Sequence, residues 1–194
     1  MSMNESQNIQ AAQKGDLAAF NRLVMAHQGL AYNVAWRLMG SADAAADSTQ
    51  EAFIKAFKSI KQYRGGSFKS WLLRIVSNTC YDQLRYNKRR PTEALEDDNF
   101  DSDYAPHLID HAERPEEGLL RQELGDMLQQ AISQLSPDQR LVLILSDVEG
   151  FSYQEIVQTT DLALGTVKSR LNRARRKLRD ILLKQELLPQ QYRQ

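Results

Sequence analysis

The chain has 194 residues, 25 Lys/Arg against 25 Asp/Glu, 42% hydrophobic residues and a single cysteine. That length admits two compact units of modest size, and no apolar run approaches the roughly 18 to 20 residues of a membrane helix. The polar N-terminus lacks the apolar region and cleavage site of a secretory signal, and one cysteine with three scattered histidines gives neither an internal disulfide nor a zinc spacing, so the expectation is a cytoplasmic protein without metal, cofactor or membrane insertion.

Residues 1–15 read as a flexible N-terminus. Asp16 can cap a first helix, in which Leu17, Phe20, Val24, Leu30, Ala31, Val34 and Leu38 recur at helical spacing before Gly40 stops it. Ser41 can cap a second, with an inner face of Ala45, Thr49, Ala52, Phe53, Ala56, Phe57 and Ile60, broken by Gly65 and Gly66. A third runs from about Ser70 to Tyr86 and buries Leu72, Ile75, Val76, Thr79 and Leu84. These make a unit over 16–90. Residues 91–117 form an acidic, proline-punctuated linker, and His107 and His111 lie within it. Helical spacing resumes in a second unit, 118–184, at Leu120, Leu124, Met127, Ala131 and Leu135. Ser136 and Pro137 open a helix burying Leu141, Val142, Leu145 and Val148, and 185–194 is a tail. No segment alternates strictly, so the expected fold is all-α: two small helical domains on a flexible tether.

The zero net charge hides a partition. Residues 1–90 hold 13 Lys/Arg against 6 Asp/Glu, 91–117 hold 1 against 10, and 118–194 hold 11 against 9. Two basic units on an acidic tether fit a polyanionic partner.

The second unit ends in a helix-turn-helix pattern, about Ser152 to Leu178. Ser152 and Glu155 form a capping box, and Asp161 sits at the turn, where left-handed backbone angles are needed. From about Leu164 a second helix turns Val167, Leu171, Ala174 and Leu178 inward. Its outer face carries Lys168, Ser169, Arg170, Asn172, Arg173, Arg175 and Arg176, with no acidic residue from Leu162 to Arg179. Such a helix fits a major groove, its N-terminal half facing base edges and later arginines neutralising phosphates. A merely solvated surface would intersperse both signs.

In the first unit Trp71, Arg74, Asn78, Tyr81 and Arg85 recur along one helix, preceded by the glycine-hinged run Tyr63, Arg64, Gly65, Gly66, Ser67, Phe68 and Lys69. Aromatic rings between cations suit unstacked bases. Trp71 and Phe68 fit a core equally well. The face Asp47, Gln50, Glu51, Ile54 and Lys55 is of mixed polarity and alone reads as solvated.

Three strings, DSTQEAFIKAF (Asp47 to Phe57), YRGGSFKSWLLRIVSNTCYDQLR (Tyr63 to Arg85) and LSPDQRLVLILSDVEGFSYQEI followed by GTVKSRLNRARRKLR, make the chain resemble, from about Asp16 to Leu183, bacterial RNA polymerase sigma factors of the sigma-70 family, extracytoplasmic-function (ECF) type. The resemblance implies a sigma-2 domain for the −10 element and a sigma-4 domain for the −35 element, acting in transcription initiation on core RNA polymerase and promoter DNA. It implies that Asp47, Gln50, Glu51 and Phe53 face the clamp helices of the largest polymerase subunit. Tyr63, Arg64, Ser67, Phe68 and Lys69 correspond to the loop that captures a flipped −10 base, and Trp71, Asn78, Tyr81 and Arg85 to the helix accompanying strand separation. Lys168, Ser169, Asn172 and Arg173 correspond to positions at −35 bases, and Arg170, Arg175 and Arg176 to positions on phosphates. An apolar surface around Leu135, Leu141, Val142 and Leu145 would hold the flap tip of the other large subunit, and an anti-sigma factor is an implied partner. Asp161 and Ala163 depart from the family pattern, where glycine and a capping Ser or Pro are common. The alternative is a stand-alone helix-turn-helix regulator with an N-terminal sensing or dimerisation domain.

Overall fold

A computed structural model describes residues 3–89 and 115–184. Most of the acidic linker, with His107 and His111, and the tail 185–194 lie outside the described residues. Every regular element among the described residues is helical, so the fold is all-α.

Helix α1 (Met3–Gln13) replaces the expected flexible N-terminus. Its two buried apolar residues, Ile9 and Ala12, lie three apart and are too few to register as a period. Polar ties complete the docking: Glu5 lies 2.9 Å from His27, Arg22 Nε donates to Asn8 Oδ1 at 2.8 Å, and Gln13 Nε2 donates to the carbonyls of Ile60 (3.2 Å) and Tyr63 (2.8 Å).

Helix α2 (Leu17–Met39) starts where Asp16 accepts a bond from the Ala19 N–H, and ends at Gly40, whose φ of 74° lets its N–H reach the Trp36 carbonyl. Helix α3 (Ala42–Ser59) is capped by Ser41 and runs into a 3-10 turn at Ile60–Gln62. Helix α4 (Phe68–Arg89) begins two residues earlier than the spacing predicts because Ser67 Oγ accepts the Ser70 N–H at 3.1 Å. Leu38, Ile60, Leu72, Leu73 and Val76 fill the core of this bundle.

The second half opens with α5 (Pro115–Ser133), which begins inside the stretch read as linker, with proline in the first turn where its missing N–H costs nothing. Helix α6 (Pro137–Leu143) passes into a π-helical turn, Ile144–Val148, and Gly150 (φ 68°) reverses the chain. Helices α7 (Tyr153–Thr160) and α8 (Leu164–Lys184) follow. Leu135, Leu141, Val142 and Leu145, around which an apolar surface was expected, are buried in the docked chain. They are 2%, 4%, 0% and 0% exposed, because the α6 region packs on α8 and meets α2, and Leu141 and Val142 also line a cavity shared with Ser77, Asn78 and Tyr81 of α4.

The halves are docked, not separate. Helix α4 lies against α7, and α2 meets α5, α6 and the π turn, so the buried apolar residues of both halves join in one cluster.

Candidate nucleic-acid interface

The helix-turn-helix is built as the sequence predicts. Ser152 Oγ accepts the Glu155 N–H at 3.3 Å while Glu155 Oε2 accepts the Ser152 N–H at 2.9 Å, which holds the Glu155 carboxyl below the usual range. Asp161 turns the chain at φ 61°, the one left-handed non-glycine among the described residues. Ala163 offers no side-chain cap; its carbonyl alone accepts from Thr166 and Val167 at 2.8 and 3.0 Å. Val167, Leu171 and Ala174 are buried, which fixes the roll of α8 and leaves Lys168, Ser169, Asn172, Arg173 and Arg176 exposed on one side. Two of the predicted phosphate cations are already paired. Arg170 is half-buried and lies 3.1 Å from Asp138, and Arg175 is held by Asp147, so they do not stand free as their sequence positions suggested.

The Tyr63 to Lys69 loop is pinned from beneath. Gln13 holds its first carbonyl, that of Tyr63, together with that of Ile60 just before it, and Tyr63 Oη donates to the Gly66 carbonyl at 2.7 Å across glycines with φ of 101° and 92°. Tyr63 and Phe68 are 7% and 2% exposed and pack edge-on at 5.7 Å, with Trp71 at 5.3 and 5.4 Å from them. Here Tyr63 and Phe68 form the wall of an aromatic cluster and Ser67 its helix cap, while Arg64 and Asn78 are exposed and Trp71 is half-buried. Arg85 is exposed one turn from Asp82. Tyr81 is half-buried against α6, where its Oη donates to the Pro137 carbonyl at 3.2 Å and burial, with Asp138, pushes its phenol above the ordinary value.

On α3, Asp47, Gln50 and Glu51 are exposed, and Glu51 pairs with Lys55 at 2.9 Å. Phe53 and Gln50 border an open, largely apolar groove of about 450 Å³ between α2 and α3, floored by Val24 and Tyr32. Met25, Ile54 and Phe57 add exposed apolar area on the same two helices.

Four residues that shape these surfaces were not singled out as functional from sequence: Gln13, Gln129, Asp138 and Arg140. Arg140 is 8% exposed and donates to the carbonyls of Leu38, Ser133 and Leu135. Only an arginine in the last turn of a short helix hinted at it, and that position normally reads as solvated.

The family model for Sigma-70 region 2 matches residues 23–90, and that for Sigma-70, region 4 matches residues 125–178. The ECF RNA polymerase sigma factor SigE of Mycolicibacterium smegmatis is 41% identical over 177 residues, 88% of this chain and 65% of that protein. The RNA polymerase sigma-H factor of Pseudomonas aeruginosa is 37% identical over 176 residues, 88% of this chain and 90% of the relative. The ECF RNA polymerase sigma-E factor of Escherichia coli K12 is 38% identical, covering 86% and 88% of the two chains. Among solved structures, the sigma factor RpoE in complex with the anti-sigma factor NepR from Bartonella quintana superposes with a TM-score of 0.64 at 28% identity over 84% of this chain and 96% of that one. CnrH in complex with the cytosolic domain of CnrY shares the fold, with a TM-score of 0.64 at 24% identity over 92% and 97% of the chains. With both regions matched in order, and with relatives at 37% and 38% identity aligned over 90% and 88% of their own length, the chain belongs to the sigma-70 family of RNA polymerase sigma factors, among those of ECF type.

Proposed function

We propose that the chain is a transcription initiation subunit that docks on core RNA polymerase through the α2–α3 groove, reads a −35 element with α8 and holds an unpaired −10 strand on α4. The observation that carries this reading is the outer face of α8, where Lys168, Ser169, Asn172, Arg173 and Arg176 stand exposed together on a helix whose roll is fixed by its buried side. Lys168, Ser169, Asn172 and Arg173 face base edges and Arg176 the phosphates; Arg170 and Arg175 join once released from Asp138 and Asp147.

On α4, Asn78, Tyr81 and Arg85 receive the opened strand beside Arg64 and Lys69, with Trp71 stacking at the edge of the aromatic wall. Stacking supplies about 1–3 kcal/mol per base against the cost of unpairing. Asp47, Gln50, Glu51 and Phe53 line the polymerase-facing side, supporting contact with clamp helices of the largest subunit. The chain works by binding alone, without covalent chemistry of its own, in the cytoplasm where polymerase is. Among the described residues no helix is long and apolar enough to cross a membrane. A regulatory anti-sigma factor is a further partner, as for the neighbouring RpoE structure. The stand-alone regulator finds no support, since the N-terminal helices match Sigma-70 region 2.

The test is run-off transcription with core polymerase on promoters upstream of the chain's own gene and of neighbouring operons. Core association with promoter-specific transcripts is the expected result. Neither core association nor a transcript on any template would overturn the reading.

A further inference from the structure

Two consecutive glycines give a loop many backbone shapes, and holding one of them costs conformational entropy. Gly65 and Gly66 are such a pair, both at positive φ, and two restraints that fix them pass through Tyr63. The Tyr63 carbonyl accepts from Gln13 Nε2 at 2.8 Å, while the Tyr63 hydroxyl donates to the Gly66 carbonyl at 2.7 Å. The same Gln13 amide donates to the Ile60 carbonyl at 3.2 Å, which also receives the Tyr63 N–H at 3.1 Å. One side chain of α1 thus fastens the 3-10 turn and the first residue of the loop together. Near the loop's other end, the Phe68 ring lies 5.4 Å from the His27 ring, and Glu5 of α1 holds that histidine at 2.9 Å.

Helix α1 buries only Ile9 and Ala12 among its described apolar residues, so it adds little to the core. What it adds is directed polar bonds, which specify position more than they supply stability. It also precedes the residues 23–90 matched by Sigma-70 region 2. On the outer side of the loop Arg64, Gly65 and Gly66 are exposed, and a Cβ on either glycine would meet no atom within 4 Å. The loop is therefore held on its inner side and open on its outer one.

We propose that Gln13 is a positioning residue for base capture: acting through Tyr63, it keeps the Gly65–Gly66 backbone in its receiving shape before DNA arrives. This rests on the reading of the Tyr63 to Lys69 loop as the seat of an unpaired −10 base. A seat ordered in advance spares the binding step the entropy of ordering it. Without the two Gln13 bonds that cost moves to the moment of capture. The penalty should therefore fall on one base of the promoter and not on the protein's affinity for DNA at large.

The test uses holoenzyme assembled from core polymerase and the full chain. Its template is a forked promoter, duplex at −35 and a single unpaired strand at −10. One abasic site is moved through the unpaired segment position by position, and affinity is measured on each template. With the native chain, removing the captured base should cost about tenfold. Gln13→Leu and Gln13→Glu both retain bulk and lose the donors, and each should bind the intact strand about fivefold more weakly. That deficit should persist on strands abasic elsewhere and vanish on the strand that lacks the captured base. Gln13→Lys, whose ammonium can donate to both carbonyls, should restore affinity on every strand.

A deficit equal on all strands, or absent from all, overturns the proposal, and so does a lysine variant as weak as the leucine one. Thermal unfolding of the free variants shows which of them fold, and either donor-free variant suffices for the comparison. If neither unfolds cooperatively, Gln13 is a folding residue and the proposal falls. If the native holoenzyme loses affinity at no abasic position, the reading of the loop as a base seat fails, and the proposal with it.

Discussion

The Arg175 guanidinium grips the Asp147 carboxylate as a fork, Nε to Oδ2 at 2.8 Å and Nη2 to Oδ1 at 2.6 Å. It ties the outer face of α8 to the π turn and holds the Asp147 carboxyl below its ordinary value of 3.8, chiefly through the arginine bond. Both groups are substantially exposed, so solvent screening limits the pair to about 0.5–1 kcal/mol. Asp147→Asn should lower the stability of the chain by that amount at pH 7 in thermal or urea unfolding. A depressed carboxyl stabilises fully above the unfolded value and loses its contribution as pH falls through the folded one. The gap between wild type and variant should therefore close as pH drops below 3.8; a gap that persists there refutes the assignment.

Ser152→Ala removes half of the capping box ahead of α7. The expected loss is about 1 kcal/mol, read by denaturant unfolding. Ser152→Thr should recover most of it, because a hydroxyl is all the Glu155 N–H requires. Equal losses in both variants would show that the hydroxyl is not what matters.

Gln13 lies on α1, away from α8, yet it bonds two carbonyls of the segment leading into the Tyr63 to Lys69 loop. Gln13→Leu keeps the bulk and removes both bonds. Core binding should be unchanged and run-off transcription reduced about fivefold, the equivalent of about 1 kcal/mol for a lost brace. Loss of core binding would place α1 at the polymerase instead.

The two promoter faces should fail differently. Asn78→Ala should impair strand opening, read by permanganate reactivity of unpaired thymines, with core binding intact. Arg176→Ala should weaken promoter binding on all sequences alike and reduce the slope of log affinity against log salt by about 1. A change in sequence preference from Arg176→Ala would move it from phosphate to base.

Caps and periods carried much of the architecture into the sequence. Asp16, Ser41, Gly40 and the Ser152–Glu155 pair each act within four residues of themselves, and the structure places all of them as their local chemistry requires. The inward side of α8 was legible for the same reason. What escaped depends on distance along the chain: Gln13 meets Tyr63, Arg74 meets Gln158 and Arg140 meets Leu38 across 50, 84 and 102 positions. A period of 3.6 residues distinguishes an inner from an outer face but does not say what the outer face meets. Tyr63 and Phe68 could be read as base-facing or core because a ring fits either, and only the packing of α4 on α2 and α3 decides for the core. Leu141 and Leu145 were ambiguous likewise, since each has as much claim to a core as to a partner, and in the docked chain both are buried.

Asp161 occupies its left-handed turn at a cost that glycine would not incur, roughly 1–2 kcal/mol for an ordinary residue and less for aspartate. The same side chain faces Arg74 on the far side of the seam. One position thus sets two balances that pull in opposite directions: Asp161→Gly relaxes the recognition turn and loosens the grip between halves. A substitution made for the turn alone would therefore also be felt at α4, on a residue 87 positions earlier in the chain.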